Sequence, residues 1–472
     1  MAPPDQGRIS AALTAALRQL VGADNVVDQG ETLATLSLDF YWYSPVLKRE
    51  LADKRADAVV RPRTMDELRG VIAACCRARV PVVPRGAGTG NYGQCVPIFG
   101  GVVVDLTLLD RIIEISADGV LRAEPGARLG RVETEARRVG WEMRCLPSTW
   151  MKSTLAGFLC GGFGGIGTIT WGNIWAPGTV RSLTLLTCEE NPREIRLEGA
   201  GCELLLHTYG TTGIVTEVRL GLAPRVDYDQ LILNAPDWDR LLDWTDAFAR
   251  SQVWRKRLVT AFERPIPSYF KPLRKRLRPD EHATFLLTDR AQTPDVIASA
   301  QAAGLACVYQ APLSDPPMPP FITDYTWNHT TLWAINHDPA ITYLQADFGE
   351  DFRAQFAQLK QRFPDEVLLH LEWMAAHAGP AEGAPGKFVG QDVRVGGIPL
   401  VHFTTEARLR EILEACAEIG IYIANPHTFV LEDGGRIPNL DGKRTFRSDI
   451  DPAGLLNPGK MKTAALNPFA PA

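Results

Sequence analysis

Two glycine-rich runs, Val83-Pro-Arg-Gly-Ala-Gly-Thr-Gly90 and Gly161-Gly-Phe-Gly-Gly-Ile-Gly167, carry the clearest chemical signal in this chain. Glycine leaves backbone N–H groups uncovered by side chains, which suits them to cradle phosphate oxygens. Two such runs point to a diphosphate held between loops. Candidate proton acceptors come next. His329 sits in Trp327-Asn-His-Thr-Thr331, which reads as a strand with Trp327 and His329 on one face. His402 lies in Pro399-Leu-Val-His-Phe403, and alternation puts His370 and Glu372 on one face, a base with its orienter or an ordinary polar pair. A histidine in a strand also serves as a purely structural hydrogen-bonding group.

Both glycine runs match GxGxxG, at Gly88–Gly93 and Gly162–Gly167. That pattern signals a Rossmann dinucleotide site only between a strand and a helix. A strand, Val80 to Val83, precedes the first run, but Pro97, Gly100 and Gly101 forbid a helix after it. Thr168-Ile-Thr-Trp-Gly172 gives the second run no helical start. The Rossmann reading fails on context.

The elements that carry these loops are legible from patterning. An amphipathic helix (Ile9 to Leu20), a strand at Ala58, a capping box at Thr64-Met-Asp-Glu67 opening a helix to Cys76, and the strand at Val80 make a β-α-β unit. Strands follow near Val102–Asp105, Ile112–Ile115 and Leu121–Glu124, then a helix from Leu129 to Val139. Alternating strands at Val180–Thr187 and Ile214–Leu222 end at Pro224. From Asp227 two further β-α-β units appear, which suggests a ferredoxin-like antiparallel sheet with helices on one face. A last helix spans Glu406 to Ile419. No internal repeat is visible.

The chain has 472 residues, 45% hydrophobic and 22% charged with a net charge of −5, as expected of a soluble globular protein of two domains. Nothing in that charge points to nucleic acid. Nine cysteines without a CxxC pair read as reduced thiols in a cytoplasmic protein. No signal-peptide pattern opens the sequence, and no apolar run reaches membrane-spanning length.

Pro84-Arg-Gly-Ala-Gly-Thr-Gly90 resembles the PxGxGTG phosphate loop of the vanillyl-alcohol oxidase / p-cresol methylhydroxylase flavoproteins, in their D-lactate and glycolate dehydrogenase branch. Ser153-Thr-Leu-Ala-Gly157 is similar to that fold's STIGG loop, and Gly164 to Gly172 occupies the place of SGSRSLRYG. Gly210-Thr-Thr-Gly-Ile-Val-Thr-Glu217 resembles the GSEGTLGIITE element that wraps the adenine end. Asp451-Pro-Ala-Gly-Leu-Leu-Asn-Pro-Gly-Lys460 resembles the DPxGLLNPGK tail. The stretch from about 226 to 400 carries much less of the likeness.

The resemblance implies FAD bound by Arg85, Gly86, Ala87, Gly88, Thr89 and Gly90. It adds Pro147, Ser148, Ser153, Thr154 and Gly157, then Gly164, Gly165 and Gly167, with Gly213, Val215 and Asn457 completing the set. Thr89 stands where covalent members carry the attaching histidine, and Lys152-Ser153 where bicovalent members carry cysteine, so the FAD is expected to be non-covalent. The helix before Tyr422-Ile-Ala-Asn-Pro-His427 resembles the one preceding SGEHGIG in the 2-hydroxy-acid dehydrogenases. His427 is then the leading catalytic base, with His329 and His402 behind it. Pro426 replaces that motif's glutamate and no GDGNxH follows, so no metal is expected. Tyr43, in Tyr41-Trp-Tyr43, and Trp327 are expected pocket walls, although tryptophans also fill cores between domains.

The expected fold is α+β: a PCMH-type FAD-binding domain over 1–225, a ferredoxin-like substrate cap over 226–424, and a tail over 425–472 returning to the first. The expected function is hydride transfer from a small hydroxylated, 2-hydroxy-acid-like substrate to flavin N5. The alternatives are an aromatic alcohol, phenol or sugar as substrate, or a flavin-binding partner protein without turnover. The basic run Lys271-Pro-Leu-Arg-Lys-Arg-Leu-Arg278 is a solvated face, or a contact for an electron-acceptor protein or a membrane surface. A homodimer is the remaining partner expectation.

Overall fold

Valines explain the first sheet. In the computed structural model, which describes residues 9–314, 321–375, 393–435 and 437–462, Val102–Asp105 is buried along its whole length and pairs in parallel with Ala58–Val60 and Val82–Arg85. A strand covered on both faces reads as a continuous apolar run rather than an alternation. Val26–Val27 closes the edge antiparallel, giving four strands. The helix Met65–Arg77 starts where expected: Thr64 Oγ1 accepts from Glu67 N at 3.1 Å, and Glu67 Oε2 reaches back to Arg63 N at 2.7 Å. A second sheet of five antiparallel strands, Ile112–Ile115, Val120–Ala123, Ile214–Gly221, Val180–Leu186 and Glu194–Glu198, carries the later loops.

The tail reaches the first sheet. Leu456 bridges Val82, and the backbone bonds Val82 N to Leu455 O and Asn457 N to Val82 O are both 2.8 Å.

The third sheet has eight strands, all antiparallel neighbours. Its first four, Tyr228–Ala235, Lys256–Phe262, His282–Asp289 and Ala306–Pro312, lie in the ferredoxin-like order 4-1-3-2. The other four, Gln345–Asp347, His370–Ala375, Val393–Gly397 and Tyr422–Ala424, repeat that order in mirror image, with helices Phe352–Arg362 and Glu406–Ile419 as crossovers. The halves join where Thr260 faces Glu372 and Phe262 faces His370. This is a repeat of topology, and it corrects the reading of a chain without repeats. A small sheet of Ile341–Tyr343, Leu400–His402 and Val367–Leu368 interrupts the second copy and hides it in the sequence.

Alternation then sorts the two faces of this sheet. Leu371 and Trp373 pack among the helices, whereas Met374 faces the glycine-loop side. Trp327 to Thr331 is not a strand: Asn328–His337 is a helix, so Trp327 and His329 share a wall through a helix start rather than by alternation. A four-residue helix, Thr168–Trp171, also follows the second glycine run. The element before that run is the helix Leu155–Gly161, not a strand, so the Rossmann context is still missing.

Candidate active site

A cavity of about 780 Å³ lies between the loops of the first two sheets and the inner face of the third. Its floor is the first glycine run. The N–H groups of residues 87–91 donate to no protein acceptor among the described residues, and Gly88 sits at φ 67°. Arg85 stiffens the loop from beneath, donating to Leu38 O at 2.6 Å. Thr89 Oγ1 and Thr149 Oγ1 lie 2.8 and 2.7 Å from Ser153 Oγ, a hydroxyl chain tying this run to the 147–157 segment. Pro147, Ser148, Thr154, Gly157, Gly164, Gly213 and Val215 line the cavity as well. Thr154 Oγ1 is buried without a partner among the described residues.

Three expected cofactor residues do not line it. A Cβ on Gly165 would fall 1.9 Å from Leu146 O, and one on Gly167 2.1 Å from Arg144 O. Their amides are already engaged, Gly165 N with Thr168 Oγ1 and Gly167 N with Arg257 O. Those glycines let the chain lie against residues 144–147. Asn457 is fully buried at φ 41°, donating through Nδ2 to Gln94 O at 2.9 Å and Tyr209 O at 2.7 Å, so it braces the wall from behind.

The histidines separate in the same way. His329 lines the cavity, and burial first, then Lys152, pulls its pKa down to about 4. It is therefore neutral near pH 7, with the burial that keeps it neutral also disfavouring its protonated form. His427 does not line it. Its Nδ1 lies 2.8 Å from Ser44 Oγ and its ring 6.0 Å from Tyr343, which is itself 6.2 Å from the cavity-lining Tyr43. Burial lowers its pKa to about 4 also. His402 is on the small sheet, half-exposed, 3.6 Å from Asp338, and away from the cavity. His370 Nε2 and Glu372 Oε1 are 3.0 Å apart, and Glu372 reaches the cavity.

Residues that sequence reasoning missed complete the walls. Asp39 is pushed up to about 6 by burial, against the pull of Lys460 and Arg85, while burial takes Lys460 down to about 7. Lys460 Nζ donates to Gly93 O. Asp39, an acid inside an aromatic run, was a visible oddity of composition. Asp324, raised to about 6 by burial, and Trp333 have no such signal. Asn91 Nδ2 donates to Tyr343 Oη at 2.8 Å, docking the glycine loop on the small sheet.

Unpaired loop amides, a hydroxyl chain and a cavity within the usual volume of ligand sites fit a diphosphate-bearing cofactor. Residues 56–196 match the FAD binding domain family. The chain carries an FAD-binding domain. The chain resembles the mitochondrial D-2-hydroxyglutarate dehydrogenase of Arabidopsis thaliana, 27% identical over 217 residues, 44% of this chain and 37% of that protein. It also resembles the glycolate oxidase subunit GlcD of Escherichia coli (strain K12), 28% identical over 189 residues, 38% of this chain and 37% of that subunit. The matched stretch thus spans well under half of these relatives. A solved alkyldihydroxyacetonephosphate synthase has the same fold, with a TM-score of 0.70 at 13% identity, covering 97% of this chain and 86% of that one. The α+β architecture is that of the PCMH-type FAD-binding proteins.

Among the described residues no group of three or more His, Cys, Asp or Glu is placed to hold a metal, and His377 lies outside them. No helix is long and apolar enough to cross a membrane among the described residues.

Proposed function

We propose that the chain is an FAD-dependent oxidoreductase that removes hydride from a hydroxyl-bearing carbon of a small substrate, most simply a 2-hydroxy acid. Bound FAD, held non-covalently by the 86–90 loop and the Ser153 hydroxyl chain, supplies the hydride acceptor. The observation that carries the reading is the place of His329 in the wall of the cavity that the glycine loop floors. His329 takes the hydroxyl proton, and Trp327 and Trp333 exclude water around the reacting carbon. The relatives named above act on hydroxyglutarate and glycolate by their own names, which supports the hydroxy-acid class. The aromatic wall of Trp327, Trp333, Phe321 and Phe163 favours a second reading, an aryl alcohol.

Anaerobic mixing of purified protein with 2-hydroxy acids, aryl alcohols and sugars tests it. Bleaching of the flavin by a hydroxy acid is expected. Bleaching by aryl alcohols alone selects the second reading, and flavin that stays yellow with every donor defeats both. The basic run 271–278, where Lys271, Arg274 and Lys275 are exposed, suits an acidic electron acceptor or an anionic membrane surface. All nine cysteines are free, which supports a reducing compartment such as the cytoplasm.

A further inference from the structure

Trp327 has φ 52° and ψ −140°, a backbone region that bulky L-residues rarely occupy. Such geometry persists only where its surroundings over-determine it, and it gathers at functional sites. What holds it is on the neighbouring sheet. Glu372 Oε1 accepts from Trp327 N at 2.8 Å, immediately before the helix Asn328–His337 begins. The carboxylate is almost wholly buried and is itself fixed. His370 Nε2 lies 3.0 Å from the same oxygen, and Thr260 Oγ1 donates to Oε2. Thr260 belongs to the first ferredoxin-like unit and His370 and Glu372 to the second, so the clamp sits on the seam between the two halves. The helix it starts presents His329 to the cavity within its first turn.

We propose that Glu372 is a positioning residue: by accepting the Trp327 N–H it locks the strained entry into the helix Asn328–His337 and so aims His329 into the cavity. This rests on the reading of His329 as the group that faces substrate. Without the acceptor, Trp327 relaxes to ordinary extended or helical angles, the first turn rotates, and His329 leaves its half-buried place in the cavity wall. Glutamine keeps an acceptor at the same place and still pairs with the Thr260 hydroxyl, so the lock needs the hydrogen bond and not the charge.

The test uses the FAD-loaded full chain with two readouts, the imidazole titration of His329 by NMR and the rate of flavin reduction. Glu372→Met, which keeps length but has no acceptor, is expected to keep its flavin, to raise the His329 pKa toward the ordinary 6.5, and to slow reduction ~10²-fold, the usual cost of a misplaced reacting group. Glu372→Gln is expected to stay close to wild type in both. Trp327→Gly adopts φ 52° without strain, so adding Glu372→Met in that background should shift the His329 titration much less. An unshifted His329 in Glu372→Met, or a Gln variant as impaired as Met, overturns the proposal. If Glu372→Met does not fold, the Gln variant and the double variant with Trp327→Gly decide alone. A His329 titration that moves as expected while reduction stays fast would keep the positioning role and remove His329 as the base.

Discussion

The two glycine runs both leave backbone uncovered but put it to different uses at Gly88 and at the Gly165–Gly167 end. The first turns its amides into the cavity, with residues 87–91 lacking any protein acceptor among the described residues. The second uses Gly165 and Gly167 to press against the backbone of 144–147. The two leading histidine candidates divide likewise: His329, partly buried, faces the cavity, and His427, buried, sits behind Tyr343 with its Nδ1 on Ser44. Burial pulls both imidazoles to about the same pKa. Chemistry is therefore assigned by which layer a residue occupies, not by its type or its acidity.

Exchange of glycine for glutamate breaks or confirms that division most sharply. Gly165→Glu should give no soluble folded protein, because its Cβ meets a backbone carbonyl that cannot move aside. Gly88→Glu should fold but carry no flavin, since its Cβ meets only the end of the Arg85 side chain while the carboxylate repels phosphate. Flavin absorbance together with circular dichroism separates the two. A Gly165→Glu protein that folds and merely lacks FAD would put Gly165 itself in the cavity layer with Gly164.

The histidine pair follows. His329→Ala should slow flavin reduction ~10²–10⁴-fold with FAD retained, and His427→Ala should change it only a few-fold. Stopped-flow reduction under anaerobic conditions measures both. The reverse ranking would mean that the base reaches substrate from the far side of Tyr343.

Asn457→Ala probes the backing layer directly. It removes two hydrogen bonds and leaves Gln94 O and Tyr209 O without that donor, at a cost of about 2–4 kcal/mol in urea denaturation, with weaker FAD retention as a consequence. A loss under about 0.5 kcal/mol would show that the tail merely covers the sheet.

A smaller effect concerns pH. The folded-state pKa of His427 is depressed from 6.5 to about 4, so its contribution to stability is fully present above 6.5 and is lost as pH falls through 4. His329 acts in the same sense. Asp39, Asp324 and Asp451, raised to about 6, act in the opposite sense, adding stability below their ordinary pKa that is lost as pH rises through 6. The informative quantity is thus the difference between wild type and His427→Asn. That variant should remove up to one proton from the pH dependence between 4 and 6.5, about 1.4 kcal/mol per pH unit at most. Superposable pH–stability curves would place His427 in contact with solvent.

The smallest expected effect is that of chelation. Pro426 occupies the position where the resemblance calls for a glutamate ligand, so extended EDTA treatment should leave flavin reduction unchanged. Activity lost to EDTA and restored by zinc or manganese would require a ligand set that uses His377 or residues near it.

Local backbone demands were readable in the sequence because they are met by the residues that carry them. Val102-Val-Val is a buried parallel strand wherever it sits, Thr64 and Glu67 cap the helix beside them, and the open amides of 87–91 follow from glycines and their neighbours. The flavin and the α+β fold were legible on that ground and through the likeness of whole motifs. Tertiary structure decided the rest. Whether a glycine faces the cavity or a neighbouring carbonyl depends on residues 144–147, and whether a histidine faces the cavity depends on Tyr343 and on a helix start held by Glu372. The ferredoxin-like unit was read once and occurs twice, because strand order is set by hydrogen bonds between residues more than a hundred positions apart, such as Thr260 and Glu372. Periodicity records which face of an element is apolar; it holds no record of what that face will meet.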